Sequence, residues 1–226
     1  MTSENLIPST ELRKALGTFA TGVTVVTAES EAGELAGLTV NSFTSVSFSP
    51  PLILWCLASS SENLSTFKST EYFAVNILAS DQRSLSNHFA TRKYDKFKNI
   101  SYTSGMGNSP LIDGCVSWIQ CKTTQMYEAG DHWIIIGEIV KLKTTSKESL
   151  IFNQSHYGVS LPLPIEENDT NIPDDLIYSD SDSYFSLLFQ AIHSYQENFE
   201  KHQHEIIESD YEARVMAVLH HYQSTT

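Results

Sequence analysis

The chain lacks nearly every short signature that names a chemistry outright. Its 226 residues contain no nucleophile elbow, Walker loop, GxGxxG or HExxH. Triad hydrolysis, P-loop phosphate binding, the usual dinucleotide fingerprint and zincin chemistry therefore lose their sequence support. Cysteine is scarce: Cys56, Cys115 and Cys121 are an odd number, show no CxxC spacing and lie in apolar or strand-like runs. That excludes a disulfide framework and points to free thiols in a reducing compartment. Basic charge is also scarce, with 14 Lys+Arg against 27 Asp+Glu and a net charge of −13, so a general nucleic-acid surface is not expected. No apolar run approaches the roughly 20 residues that cross a bilayer. The N-terminal MTSENLIPSTELRKAL lacks the basic and then apolar regions of a signal peptide. The expectation is a soluble, cytoplasmic protein without membrane or nucleic-acid partners.

What is present falls into unequal parts. Residues 1–160 carry 12 Lys+Arg against 14 Asp+Glu, whereas residues 161–226 carry 2 against 13. The first part has the length of one well-cored domain. Residues 161–182 hold Pro162, Pro164 and Pro173 among acidic residues and read as an extended, self-repelling linker. In residues 183–226 the period changes. Tyr184, Leu188, Ile192, Tyr195 and Phe199, then Tyr211, Val215, Leu219 and Tyr222, recur at helical spacing. They predict two amphipathic helices, from Asp182 to about His204 and from Ser209 to Tyr222.

Within residues 1–160 the pattern is mainly β. Ser9 or Thr10 starts a short helix with Leu12, Ala15, Leu16 and Phe19 on one side, ended by Gly22. Val23 to Thr27 is β-branched, and Glu29 to Glu34 is a hairpin turn around Gly33. Gly37 to Ser47 reads as a strand whose end is crowded with hydroxyls. It is either an edge strand with a turn or a surface that lets a flat polar ligand approach closely. Ser49-Pro50-Pro51 breaks pairing, and Leu52 to Leu57 is apolar enough to be buried on both faces. Ser59 to Ser61 resembles a helix cap ahead of Leu64 and Phe67. Tyr72 to Leu78 is a core strand, and Ser80 caps a helix to about Ala90 with Leu85 and Phe89 on one face. After a cationic loop and the turn-rich Gly105 to Gly114, Cys115 to Tyr127 and Trp133 to Leu142 are long strands joined by Ala129-Gly130-Asp131. Leu150-Ile151-Phe152 and His156-Tyr157-Gly158 close the domain. Six or seven strands with short inserted helices and no regular helical crossover predict a closed antiparallel barrel.

Chemistry is sparse on this scaffold. His202, His204, His220 and His221 are read as solvent-facing residues, because no acidic or cysteine partners stand at ligand spacing, so no metal site is expected. His132, in Gly130-Asp131-His132, is either a polar strand end or a functional group at one end of the barrel.

Seven separated motifs carry a family resemblance: GTFATGVTVVTA (17–28), GLTVNSFTSVSFSPPLI (37–53), YFAVNIL (72–78), HFA (88–90), DKF (95–97), AGDHWIIIGEIV (129–140) and HYG (156–158). Together they resemble the flavin reductase family, the small reductase components of two-component flavin monooxygenases, over about residues 9–160. The resemblance implies an FMN-binding split β-barrel with short inserted helices, acting as a homodimer. It implies hydride transfer from NADH or NADPH to FMN, with FAD possible, and reduced flavin supplied to a partner monooxygenase. On the matching positions, Thr39, Val40, Asn41 and Ser42 with Ser45, Val46 and Ser47 would line the flavin ring. Ser60 and Ser61 would meet the ribityl chain or phosphate, Phe89 and Ala90 would flank the flavin, and Lys96 would complement phosphate. His132 would stand near the nicotinamide, with Tyr157 at the pocket mouth. Two other readings remain: a barrel flavoprotein reducing another substrate on bound FMN, and a non-catalytic flavin or ligand sensor. Residues 182–222 resemble the first helices of a MarR-type regulatory domain, without its winged DNA-reading part.

Overall fold

The computed structural model describes residues 7–92 and 95–161. The C-terminal helices, the MarR-type resemblance and all but the first residue of the acidic linker fall outside these. Helix α1 (Ser9–Leu16) opens the described chain. It ends earlier than Gly22: Gly17 follows it and its N–H donates to the Arg13 carbonyl at 2.9 Å. Its apolar side is not buried among the described residues, and Leu12 and Leu16 are exposed. Strands β1 (Thr21–Gly22) and β2 (Thr24–Glu29) follow, then a turn on Gly33, which has φ +80°. The chain returns as β3 (Leu35–Val40), antiparallel to β2 with Thr27 opposite Gly37.

Gly37 to Ser47 is not one strand. After a bend at Asn41–Phe43 the chain continues as β4 (Thr44–Phe48), which forms a hairpin with β5 (Pro51–Ala58) across a turn containing the cis Ser49-Pro50 bond. Short helix α2 (Leu64–Ser69), β6 (Tyr72–Ile77) and α3 (Arg83–Ala90) come next. The region read as turns pairs into a small sheet, β7 (Tyr102–Ser104) with β8 (Pro110–Ile112). The long strands β9 (Ser117–Ala129) and β10 (His132–Thr144) meet at Gly130, φ +63°, and β11 (Leu150–Asn153) and β12 (His156–Val159) end the domain.

The main sheet runs β3-β2-β6-β9-β10-β5-β4. Its two edge strands are consecutive in sequence and joined by only three residues. A link that short spans roughly 14 Å at most, so the sheet must curl until its edges nearly meet. Ser42 ties the link to β5: the Cys56 N–H donates to its Oγ at 2.9 Å, and that hydroxyl donates to the Cys56 carbonyl at 3.3 Å. Edges that approach without pairing make a split barrel rather than a closed one.

The barrel interior is filled by Val26, Trp55, Phe73, Val75 and Ile135. A second cluster, with Val25, Leu78, Phe89, Ile112 and Leu150, lies on the other face of β2 under α3, β8 and β11. The strands buried on both faces are therefore β2 and β6 and not β5, where Ile53, Trp55 and Leu57 are buried but Leu52, Leu54 and Cys56 are half-exposed. Between the clusters, buried Asn76 satisfies its amide fully. It donates to the Val25 carbonyl and Thr27 Oγ1 and accepts from the Ile112 N–H at 2.8 Å, which pins β8 to the barrel wall.

Candidate functional site

An open groove of about 530 Å3 runs along β3. Leu35, Gly37, Leu38 and Thr39 form its floor. Leu57, Ala58 and the turn Ser60–Asn63 border one side, and the end of α3 and the following loop border the other.

The α3 wall approaches β3 because position 37 has no side chain. A Cβ there would lie 2.7 Å from a Phe89 ring carbon and 2.8 Å from one of Phe97. Those two rings pack edge-on with centroids 5.2 Å apart. Polar groups complete the join. Thr39 Oγ1 donates to the Ser86 carbonyl at 2.7 Å, and Lys96 Nζ donates to the Gly37 and Phe89 carbonyls at 3.0 Å each. Burial lowers the pKa of Lys96 below its ordinary value, with the Glu62 carboxylate acting the other way.

Of the sequence-selected residues, Thr39, Ser60, Ser61, Phe89, Ala90 and Lys96 line this groove together. Ser60 and Ser61 sit in the turn before α2, which begins only at Leu64, so they are not at its first helical turn. Val40 is buried in the barrel, Asn41 is exposed at the bend, and Ser42 is bonded to Cys56 of β5. Ser45, Val46 and Ser47 lie on β4, at the other edge of the sheet and outside the groove lining. His132 starts β10 opposite Ala58, whose side of the groove it adjoins, and the Ser59 N–H donates to the Asp131 carbonyl at 2.9 Å. His132 Nδ1 is 2.7 Å from Asp131 Oδ1, and this hydrogen bond holds the Asp131 carboxyl below its usual range. Tyr157 lies behind α3: its hydroxyl donates to Asn87 Oδ1 at 2.9 Å and is 2.9 Å from Ser86 Oγ. Tyr157 and Thr39 thus contact the same residue of α3, Ser86.

Sequence reasoning missed Glu62, Asn63, Arg92 and Asp95, all groove-lining. They stand in the two loops that end at the groove, and the signal for them was their nearness to Ser60-Ser61, to Ala90 and, for Asp95, to Lys96 within the DKF motif.

The donor set suits a flat molecule with an anionic tail. Leu35 and Leu38 offer apolar surface, Ser60, Ser61 and Asn63 offer neutral hydrogen bonds, and Arg92 and Lys96 add positive charge beside the carboxylates of Glu62 and Asp95. The volume falls within the roughly 300–1,000 Å3 of small-molecule sites. Among the described residues no group of three His, Cys, Asp or Glu side chains could hold a metal, and no helix is long and apolar enough to cross a membrane.

A family model described as a flavin reductase like domain matches residues 16–160. A relative named "Probable flavin reductase", from Rhizobium meliloti, is 42% identical over 157 residues, 70% of this chain and 50% of its own length. The reductase component of a flavin-dependent trigonelline monooxygenase from Acinetobacter baylyi is 41% identical over 147 residues, 65% of this chain and 47% of its own. The chain thus spans about half the length of both. The NADH:FAD oxidoreductase of Streptomyces globisporus, solved with NAD and FAD fragments, is 35% identical with a TM-score of 0.66, covering 69% of this chain and 94% of that one.

Proposed function

The chain belongs to the flavin reductase-like family, and from that premise we propose that it is an NAD(P)H:flavin oxidoreductase. Its groove would hold FMN or FAD, and NADH or NADPH would be the co-substrate. The observation that carries this reading is the β3 groove, where apolar surface, neutral hydroxyls and the Arg92 guanidinium converge.

The flavin, when bound, supplies the acceptor for a hydride from the nicotinamide. The chain itself binds, orients and excludes water. Thr39, Leu38 and Phe89 would border the ring, while Ser60, Ser61 and Arg92 would meet the ribityl chain and phosphate. His132 stands beside Ala58 with its Nδ1 held by Asp131, which leaves Nε2 to meet the nicotinamide. Neither a catalytic dyad nor a metal is required by such a transfer.

One feature supports the assembly implied by the family. Leu54 and Cys56 on the outer side of β5 stand opposite Ile136 and Ile134 of β10, and Tyr127 of β9 stands opposite Ile134 from the other side. An outer barrel face this apolar fits a homodimer interface. The three free cysteines support a reducing, cytoplasmic setting. A partner monooxygenase that receives reduced flavin is carried over from the relative named as such a component.

The test is NADH and NADPH oxidation by the purified full chain, with and without added FMN or FAD. Oxidation that depends on added flavin and reduces it in proportion is expected. Oxidation coupled to another acceptor on flavin that stays bound would place the protein with barrel flavoproteins of a different activity.

A further inference from the structure

We propose that Lys96 is a positioning residue, a strut that holds the α3 wall of the groove against β3, rather than the cation that receives a flavin phosphate. The proposal rests on the flavin-binding reading above and assigns Lys96 a different role within it.

An ammonium group has three N–H donors. Two of those on Lys96 are committed to backbone, at 3.0 Å to the Phe89 carbonyl and 3.0 Å to the Gly37 carbonyl. Both acceptors are of kinds that need an outside partner. Phe89 is in the last turn of α3, whose terminal carbonyls have no partner within the helix and carry the negative end of its dipole. Gly37 is on β3, an edge strand paired only with β2. One cation therefore joins a helix end to a sheet edge.

The join is reciprocal. His88, also in the last turn of α3, has its Nε2 2.6 Å from the Lys96 carbonyl, so the imidazole N–H donates back to the same residue. The next residue, Phe97, is buried against Phe89 and over the bare Gly37. Helix end, loop and strand are locked by two hydrogen bonds from one ammonium, one from His88, and two rings in contact. Both Phe89 and Phe97 line the groove, so the strut sets its width. A lysine serving a phosphate would keep its donors directed to the ligand; here most are spent on the wall.

The two roles separate on a pair of ligands that differ only in the phosphate, FMN and riboflavin. Binding is measured by quenching of flavin fluorescence with the full chain, and the Tm of each variant is recorded so that titrations run well below it. Lys96→Met should weaken both flavins by a similar factor, about tenfold or more for the loss of hydrogen bonds to a charged group. Lys96→Arg keeps the charge but cannot place a compact ammionium between the two carbonyls, so it too should weaken both. His88→Phe, which leaves Lys96 in place, should also weaken both flavins without preference. Loss of FMN binding with riboflavin binding retained in Lys96→Met would overturn the proposal, as would FMN binding preserved in Lys96→Arg or unchanged binding of both flavins in Lys96→Met. A wild-type protein that binds neither flavin overturns the flavin reading itself, and the strut assignment with it. That failure is told apart because it appears before any substitution is made.

Discussion

Gly37 shows how one missing side chain shapes the groove. Its bare Cα lets Phe89 and Phe97 close on β3, and an added Cβ would lie under 3.0 Å from both rings. Gly37→Ala should destabilise the fold by about 1–3 kcal/mol, the usual cost of overpacking, and weaken flavin binding as the wall moves outward. Thermal unfolding and flavin titration of the variant check this, and an unchanged Tm would contradict it. His132 is tied down differently. Its Nδ1 is held at 2.7 Å by Asp131, which fixes the tautomer and leaves Nε2 as the working nitrogen. His132→Ala should raise the KM for the nicotinamide by about tenfold while the flavin Kd moves less than about twofold, the pattern of a lost contact to one substrate. Equal loss for both ligands in kinetics and titration would remove His132 from the nicotinamide side.

Among the elements, strands were the most legible in the sequence, because β-branched runs and the turns at Gly33 and Gly130 mark them directly. Tyr72–Ile77, Ser117–Ala129 and His132–Thr144 lie close to where periodicity placed them. The Gly37–Ser47 stretch reads as a single strand because nothing local signals the bend at Asn41–Phe43. That bend exists to carry the chain from one sheet edge to the other, a tertiary requirement. The β7–β8 pair escaped for a similar reason: its strands are three residues each and are fixed by buried Asn76 rather than by their own pattern. Helix starts were misplaced because α2 and α3 have no side-chain cap, so Ser61 and Ser80 were not the boundaries they resembled. At the site, hydroxyl-rich and aromatic motifs found one side of the groove, but Glu62, Arg92 and Asp95 come from loops whose convergence only the fold reveals. The outer face of β5 carries its own prediction. Leu54→Glu puts a charge opposite Ile136 on the apolar face and should shift a homodimer to monomer in light scattering after size exclusion. A variant that keeps the wild-type mass would move the interface elsewhere.

For the molecule as a whole, buried thiols set an alkaline limit. Burial pushes both Cys115 and Cys121 up to about 12 from an ordinary value of 9.0. A folded-state pKa above the unfolded one means the folded chain keeps its protons longer. The associated stability is fully present below pH 9 and is lost as pH rises from 9 toward 12, at about 1.4 kcal/mol per thiol per pH unit. Cys115→Ala/Cys121→Ala should therefore show a flatter fall of Tm with pH in that window than wild type, whatever its starting Tm. The comparison cancels the contribution of Lys96, whose lowered pKa acts in the opposite direction. A parallel pair of curves would contradict it.

The flavin reductase activity assigned to the groove between β3, the β5 end and α3 is tested most directly by steady-state oxidation of NADH and NADPH with and without added FMN or FAD. Little oxidation is expected from the purified chain alone, with turnover appearing on addition of flavin and the flavin reduced in step under anaerobic conditions. No flavin-dependent oxidation with either flavin and either nicotinamide would contradict it.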